Sequence, residues 1–503
     1  MNKKTLILIG FILLKFVLQY VLISPEYDLQ RDEYLHLDQA HHLAWGYLSV
    51  PPVTSWISYI ILLLGNSVFL IKFFPALFGV LTLLIVWKTI EALKGNLYAL
   101  ILGSLCVLFS ALLRINMLYQ PNSFDVLCWT VFYYILIQYT ISEKPKWLYI
   151  GAVVFAFGFL NKYNIVFLLI GLLPALILSK QRKIFTEKHL YFALILGLIL
   201  ILPNLLWQYN NHFPIVHHMK ELAETQLVNV NRADFLKEQI LFFIGSFFVI
   251  LSSFYALLFY KPFEKFKFFF ASIIFTILVF LYFKAKAYYA IGLYPIYIAF
   301  GSVFLADILQ IGRKRYLKPV FIALPLLFFI PMYFMAFPIK SPEKLAAQKL
   351  GTHRWEDGKE HNLSQDFADM LGWKELARKT DSVYALFPKS ENTLVLCDNY
   401  GQAGAINYYT KKGIKAVSFN ADYVNWFNLN VYYKNLIRVK TFEENSAEFK
   451  ETSPFFESAF IAGQITNKYA REYKTTIFVF TNAKININKR LKQEIDEEKN
   501  YAD

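Results

Sequence analysis

The sequence predicts a polytopic α-helical membrane protein that ends in a soluble α/β domain. Three observations carry that expectation. Of 503 residues, 56% are hydrophobic and only 17% are charged, whereas soluble domains carry about 25% charge. Apolar runs of about 17–25 residues, the length needed to cross a bilayer, recur along the first two thirds of the chain between short basic loops. From about residue 345 the composition becomes that of a soluble domain in which acids and bases nearly balance, so most of the net charge of +14 belongs to the membrane part.

The first run, Thr5 to Ile23, lacks a small-residue cleavage site and exceeds the roughly 7–15-residue core of a signal peptide. It reads as a retained first helix, with Lys15 unusually placed in mid-span, where it should face the bundle or reach a headgroup. Further spans are expected near 67–87, 97–113, 125–141, 147–160, 164–179, 189–206, 239–260, 267–283, 289–310 and 319–337, about eleven in all. The segment 53–66, "VTSWISYIILLLGN", is apolar but short, which suits an interfacial or re-entrant piece of a long first loop, 24–66. The basic stretches "NKK", Lys88 with Lys94, "KPK", "KQRK", Lys261 to Lys267 and "GRKRYLK" all fall on one side. The positive-inside rule makes that side cytoplasmic, and an odd number of spans then places the C-terminal part outside.

The division expected is a membrane unit over 1–337 and an extracytoplasmic α/β domain over 338–503. In the latter, "SQDFADMLGWKELARKTDSVYALF" has helical periodicity with a Ser cap, and "NTLVLCDN", "IKAVSF" and "TIFVFTN" read as strands. "GQAGAINYYTKKG" reads as a helix closed by Gly413, and the final "KRLKQEIDEEKNYAD" as a solvated, frayed tail. Cys106, Cys128 and Cys397 have neither disulfide nor metal spacing. The excess basic charge is a topology signal and not a nucleic-acid footprint. No internal repeat is evident.

Polar residues recur at the ends of helices assigned to the outer side. The first loop carries Asp28, Arg31, Asp32, Glu33 and Asp38 in "YDLQRDEYLHLD". Arg114, Asn122 and Asp125 surround the break before the fourth span, and Lys162 sits in "LNKYN". Trp207, His212, His217 and His218 follow the seventh span, and Lys284, Lys286, Tyr288 and Tyr289 precede the tenth. One pocket with a carboxylate zone and a cation zone suits transfer from a phosphate leaving group to a hydroxyl. The leaving phosphate needs positive charge where its negative charge develops, and the attacking alcohol needs a carboxylate to take its proton. Direct inversion needs one such base, unlike hydrolases with two carboxylates across the bond.

The stretch "RDEYLHLDQAHHLAWGYLSVPP" resembles the Asp-Glu motif and following segment of bacterial relatives of the dolichyl-phosphate-mannose protein O-mannosyltransferases and lipid A aminoarabinose transferases, membrane glycosyltransferases of the GT-C class. The resemblance continues through "NSFDVLCW", "LNKYNIVFLL", "LPNLLWQYNNHFPIVHH", "KAKAYYAIGLYPIYIAFG" and the tail stretch "SQDFADMLGWKELA…DNYGQAGAINYY". It implies a GT-C fold, an inner-membrane location, and inverting transfer of a sugar from a polyprenyl-phosphate donor to an envelope protein, lipid or glycan. It implies further that Asp32 is the base, Glu33 an acceptor-binding or orienting neighbour and Asp125 a second catalytic acid. Lys162, Lys284 and Lys286, with Arg31 and Tyr288, would face the donor phosphate; His36, Asn122, Trp207, His217 and His218 would line the acceptor or sugar site. Where many relatives have His-Pro-Pro, this chain has Val50-Pro51-Pro52.

Plainer readings stand beside these. Asp28 and Asp38 suit caps of short helices, and Asp125 an N-cap. Lys162 and Lys286 could snorkel to the surface. His41 and His42 are adjacent in sequence and do not face one ligand, so no metal site or other cofactor is expected. "DNYGQAG" lacks dinucleotide-binding spacing. The rival from another class is a transporter or flippase of a lipid-linked substrate, since embedded charges also mark transport paths. Transporters often carry internal repeats with broken helices in both halves; this sequence lacks that symmetry, and its charges cluster at one face and not at the midplane.

Overall fold

The computed structural model describes residues 2–348, 353–355, 358–387, 392–442 and 445–499. The membrane unit begins with α1 (Lys3–Val21), followed by the loop helices α2 (Arg31–Asp38) and α3 (Val53–Leu63). Then come α4 (Val68–Ala92), α5 (Leu97–Leu108), the short α6 (Ala111–Ile115), α7 (Pro121–Ser142), α8 (Lys146–Asn161), α9 (Ile165–Ile177) and α10 (Lys188–Asn210). The amphipathic α11 (Pro214–Thr225) leads to α12 (Arg232–Phe242), α13 (Phe247–Phe259), α14 (Phe268–Tyr282), α15 (Tyr294–Ile308) and α16 (Lys318–Ala336).

Among the described residues six helices are each long and apolar enough to cross a membrane, and two more candidates are pairs bent by 108° and 68°. The expected spans near 97–113 and 239–260 are broken helices. Ser110 caps a new short helix in the first case, and a turn at 244–246 separates α12 from α13 in the second. The segment expected to be interfacial is the eleven-residue α3.

The peripheral helices α1 and α10 are sorted inside out relative to a soluble protein. On α1 the fully buried residues are Lys15 and Gln19, while Leu6, Leu13, Val17 and Val21 are exposed. Lys15 faces the bundle, where its Nζ donates to Gln19 at 2.6 Å and to Asn116 at 2.9 Å. With lipid as the solvent, apolar groups gain nothing from burial, and polar groups must find partners inside. Helix α10 likewise exposes Leu194, Ile195, Leu198 and Ile199 and buries Asn204 and Gln208.

The basic loops converge on one face. Lys180 pairs with Glu264 at 3.0 Å, Lys183 pairs with Glu143, and Tyr98 donates to the Lys318 carbonyl at 2.9 Å. The opposite face carries the C-terminal domain. Its central sheet comprises β3 (Thr393–Cys397), β4 (Val417–Ser418), β5 (Asn435–Lys440), β6 (Phe456–Gln464) and β7 (Thr476–Ala483), in the order β4-β3-β5-β7-β6. The first three strands are parallel, and β7 runs antiparallel to both neighbours. A two-stranded hairpin, β1 (His353–Arg354) with β2 (Glu360–His361), lies before it in the chain, after α17 (Pro342–Ala347).

Three expectations for this domain need adjusting. The long helix expected after Ser364 is two helices, α18 (Gln365–Ala368) and α19 (Trp373–Tyr384), broken at Gly372, whose φ of +88° a helix interior does not permit. Helix α20 (Tyr400–Tyr409) stops before Gly413, which instead turns the chain toward β4. After α21 (Asn445–Thr452), the tail read as frayed forms α22 (Ile487–Lys499), which buries Ile487, Leu491 and Ile495 at four-residue spacing. Residues 500–503 of that tail lie outside the described residues.

The first loop and the C-terminal domain share one hydrophobic core. Tyr27, Leu29, Tyr34, Leu35 and Leu37 pack in the same cluster as Trp373, Ala403, Ile406 and Tyr423. Polar bonds cross the same boundary. Asp28 accepts from the backbone N–H groups of Trp373 and Lys374 at 3.1 and 3.2 Å, capping α19. Asp38 accepts from Asn407 at 2.7 Å and Tyr423 at 2.6 Å; Asp422 accepts from Gln39 at 2.9 Å and the Leu48 N–H at 2.8 Å. Burial pushes Asp422 up to about 6 and Asp369 up to about 7.

Candidate active site

Helix α2 is the platform of the site. It starts at Gln30, whose side chain accepts from the Asp32 N–H, while the Glu33 side chain reaches back to the Gln30 N–H at 2.6 Å. This reciprocal capping fixes the first turn and sends the two adjacent acids in different directions.

Glu33 points inward and is fully buried. Its carboxylate accepts from Lys72 Nζ at 2.7 and 2.9 Å, from the Tyr119 N–H at 2.7 Å, and from the Gln30 N–H. Four bonds use the roughly four lone-pair directions of a carboxylate. Expected as an acceptor-binding or orienting neighbour of the base, Glu33 joins α2, α4 and the turn before α7 through these bonds.

Asp32 points toward the domain. Its Oδ1 accepts from the Tyr400 hydroxyl at 2.7 Å and its Oδ2 from Gln120 Nε2 at 3.1 Å. Each oxygen therefore keeps a lone pair that a substrate hydroxyl can use. Arg31 lies over the Tyr400 ring at 4.4 Å. Burial opposes its charge, but Tyr400, Asp32, Glu472 and Asp369 together outweigh that and raise the guanidinium above the ordinary arginine value. Burial, reinforced by Asp32, holds the Tyr400 phenol protonated.

A hydrogen-bonded path runs from Asp32 to the cations. Gln120 donates to Asp32 and accepts from Asn122 Nδ2 at 3.0 Å, and Asn122 Oδ1 accepts from Lys162 Nζ at 2.7 Å. Lys162 also lies over the rings of Tyr289 and Tyr288, at 4.3 and 5.1 Å. Pro121 at the first helical position of α7 and the end of α8 at Asn161 place Asn122 and Lys162 together.

Asp125 is one turn deeper. It accepts from Trp129 at 3.0 Å and from Asn164 at 2.9 Å, so it is a buried, partnered acid within α7 and not that helix's N-cap.

The remaining expected site residues divide. Lys286 donates to Gln226, and Lys284 adopts a left-handed φ of +50° at the end of α14. His36 is buried against Gln39 at 3.2 Å, and that burial lowers it below the ordinary histidine range. His218 is lowered chiefly by burial, with Lys286 among the charges around it, while His217 is exposed. Trp207 packs on the first loop so tightly that a Cβ at Gly46 would lie 2.4 Å from its ring. His42 stacks on Trp426 at 4.3 Å.

Sequence reasoning missed Gln120 and Tyr400. Gln120 immediately precedes a Pro that opens a helix, a recognisable boundary. Tyr400 belongs to "DNYGQAG", a stretch notable in the sequence but tested only against nucleotide binding.

The family described as dolichyl-phosphate-mannose-protein mannosyltransferase matches residues 49–207, a segment that holds Gln120, Asn122, Asp125, Lys162 and Trp207 but begins after Asp32. No curated protein matches the sequence significantly. The structure is similar to that of ArnT from Cupriavidus metallidurans bound to undecaprenyl phosphate, with a TM-score of 0.63 and 11% identity, covering 95% of this chain and 98% of that one. The chain has the GT-C fold. The apo state of the same ArnT aligns over the same shares with a TM-score of 0.62 and 11% identity. The Archaeoglobus fulgidus oligosaccharyltransferase, tethered to an acceptor peptide containing the NVT sequon, aligns at 9% identity with a TM-score of 0.50, covering 88% of this chain and 70% of that one. The chain is thus an integral membrane protein with this fold, and its C-terminal domain falls within the shared architecture.

Proposed function

We propose that this GT-C protein is an inverting glycosyltransferase that moves a sugar from a polyprenyl-phosphate donor to an acceptor outside the cytoplasm. The observation that carries the reading is the unbroken path Asp32–Gln120–Asn122–Lys162, which sets a carboxylate and a buried-side ammonium at two ends of one polar seam. The similarity to a protein bound to undecaprenyl phosphate supports the same donor class.

In this reading the acceptor oxygen forms a bond to the anomeric carbon as the bond from that carbon to the phosphate oxygen breaks. The electron pair leaves on the phosphate, and the acceptor proton passes to Asp32. Lys162 and Tyr288, with Lys286 nearby, face the departing phosphate, and Arg31 holds the Asp32 end. The gathering of basic loops on the opposite face supports a cytoplasmic N-terminus in the inner membrane, with the site facing out. Asp125 supports the Lys162 end through Asn164, whose Nδ2 donates both to Asp125 and to the carbonyl of Tyr289, over whose ring Lys162 lies.

The test is release of undecaprenyl phosphate when purified protein meets labelled undecaprenyl-phosphate-linked mannose, and in parallel other lipid-linked sugars, with an envelope fraction as acceptor. Release coupled to label transfer supports the reading. Uptake of intact lipid-linked sugar into proteoliposomes without release would replace it with transport.

A further inference from the structure

We infer that the C-terminal domain completes the active site by supplying Tyr400 as a positioning residue for Asp32. The inference rests on Asp32 being the base. Tyr400 is 368 positions away in sequence, yet its hydroxyl donates to Asp32 Oδ1 at 2.7 Å while its ring lies against Arg31. One side chain thus restrains both the carboxylate and the cation beside it.

The whole of "DNYGQAG" is organised to present this residue. Asn399 caps α20 by accepting from the Gln402 N–H at 3.1 Å, and its Nδ2 donates to Glu472 at 3.1 Å. Gln402 donates to the other Glu472 oxygen at 2.7 Å and accepts from the Asp398 N–H at 3.0 Å. Glu472 is buried and also holds Thr475 at 2.8 Å, so the residues on both sides of Tyr400 are anchored to one rigid carboxylate. Asp398 is tied in turn to Arg438 at 2.6 Å and Lys440 at 3.0 Å.

Two glycines let this presentation reach α2. A Cβ at Gly401 would lie 2.6 Å from Arg31 Cγ. A Cβ at Gly404 would lie 2.7 Å from Tyr34 Cβ and 3.1 Å from the Tyr34 carbonyl carbon. The second cannot be relieved by rotating a flexible side chain, because backbone is in the way. Residues three apart lie on one helix face, so Gly401 and Gly404 form the surface on which α2 rests. The motif that fails as a nucleotide loop is a docking face that ends in a functional hydroxyl.

Geometry at a reacting centre is steep: a misplacement of about 1 Å can cost on the order of 100-fold in rate. Tyr400→Phe keeps the ring and its contact with Arg31 and removes only the hydroxyl. With undecaprenyl-phosphate-linked mannose as donor, or whichever lipid-linked sugar proves active, kcat is expected to fall by about 10- to 100-fold with donor KM unchanged. In an Asp32→Asn background the same substitution is expected to cause no further loss, since both act through one group. Gly404→Ala is expected to reproduce the loss and to increase proteolysis between the membrane unit and the domain. Full kcat in Tyr400→Phe, or an equal additional loss in the Asp32→Asn background, would overturn the inference. Full activity of Asp32→Asn alone would instead remove the base assignment beneath it.

Discussion

Glu33 and Lys72 offer the sharpest separation of framework from chemistry. Glu33→Gln removes the charge that Lys72 faces in a fully buried pair. Breaking such a pair by removing one partner destabilises a protein by about 3–5 kcal/mol. The glutamine oxygen can serve one of the two backbone N–H groups of Gln30 and Tyr119. Its amide NH2 then confronts the other, at a further penalty of roughly 1–3 kcal/mol. The expected total is a large share of the roughly 5–15 kcal/mol that keeps a typical domain folded. Adding Lys72→Met removes the orphaned ammonium and should restore most of the pair's share. Thermal unfolding in detergent, read beside undecaprenyl phosphate release, checks both variants. The single variant should be unstable and lose activity in proportion to folded protein; the double variant should recover most of the stability and, with it, the activity. A double variant as stable as the parent yet as inactive as Asp32→Asn would refute the framework role and return Glu33 to the chemistry.

Other consequences can be measured with the same protein. Asp32→Asn should leave accumulation and melting temperature intact and lower kcat by about 10²–10⁴-fold, the usual contribution of a general base. Lys162→Gln should weaken transition-state stabilisation by about 2.7–4 kcal/mol, by analogy with loss of one oxyanion donor; unchanged kcat would place the phosphate elsewhere. Asp28→Ala removes the cap of α19 and should destabilise the docked domain by about 0.5–2 kcal/mol, seen as faster proteolysis in the 338–348 region. The folded form of Asp422 binds its proton up to about pH 6, against an ordinary value of 3.8. Its folded pKa is raised, so its contribution is complete below about pH 4 and is lost as pH rises through about 6. Relative to an Asp422→Asn variant, the parent's melting temperature should therefore fall between those pH values; a rise would contradict the burial assigned to this carboxylate.

The membrane architecture was legible because bilayer length imposes long apolar runs, and each expected span coincides with a helix or a broken pair. Breaks were less legible. Ser110 and the 244–246 turn interrupt runs that remain apolar throughout. The polar cluster of the site was readable as a set of residues at helix ends, but its internal division was not. Asp32 and Glu33 are neighbours in sequence, and only the 100° turn per helical residue separates an acid with lone pairs to spare from one whose bonds are all taken. A cue was present: Gln30 and Glu33 stand at the spacing of a capping box. Asp28 was read as the cap of a nearby helix, whereas it caps one 345 residues later. Tyr400 was invisible for the same reason. A single sequence does not reveal which distant loop folds back onto α2, although the pair of small residues beside Tyr400 hinted at close packing.

The central claim is that the base and the phosphate site lie at opposite ends of a short polar seam. A structure of the protein with bound undecaprenyl phosphate tests it most directly. The phosphorus is expected beside Lys162 and Tyr288, with Asp32 facing it across open space large enough for one sugar. Phosphate bound at the basic loops around Lys180 and Lys265, at the opposite end of the helix bundle, would contradict the account.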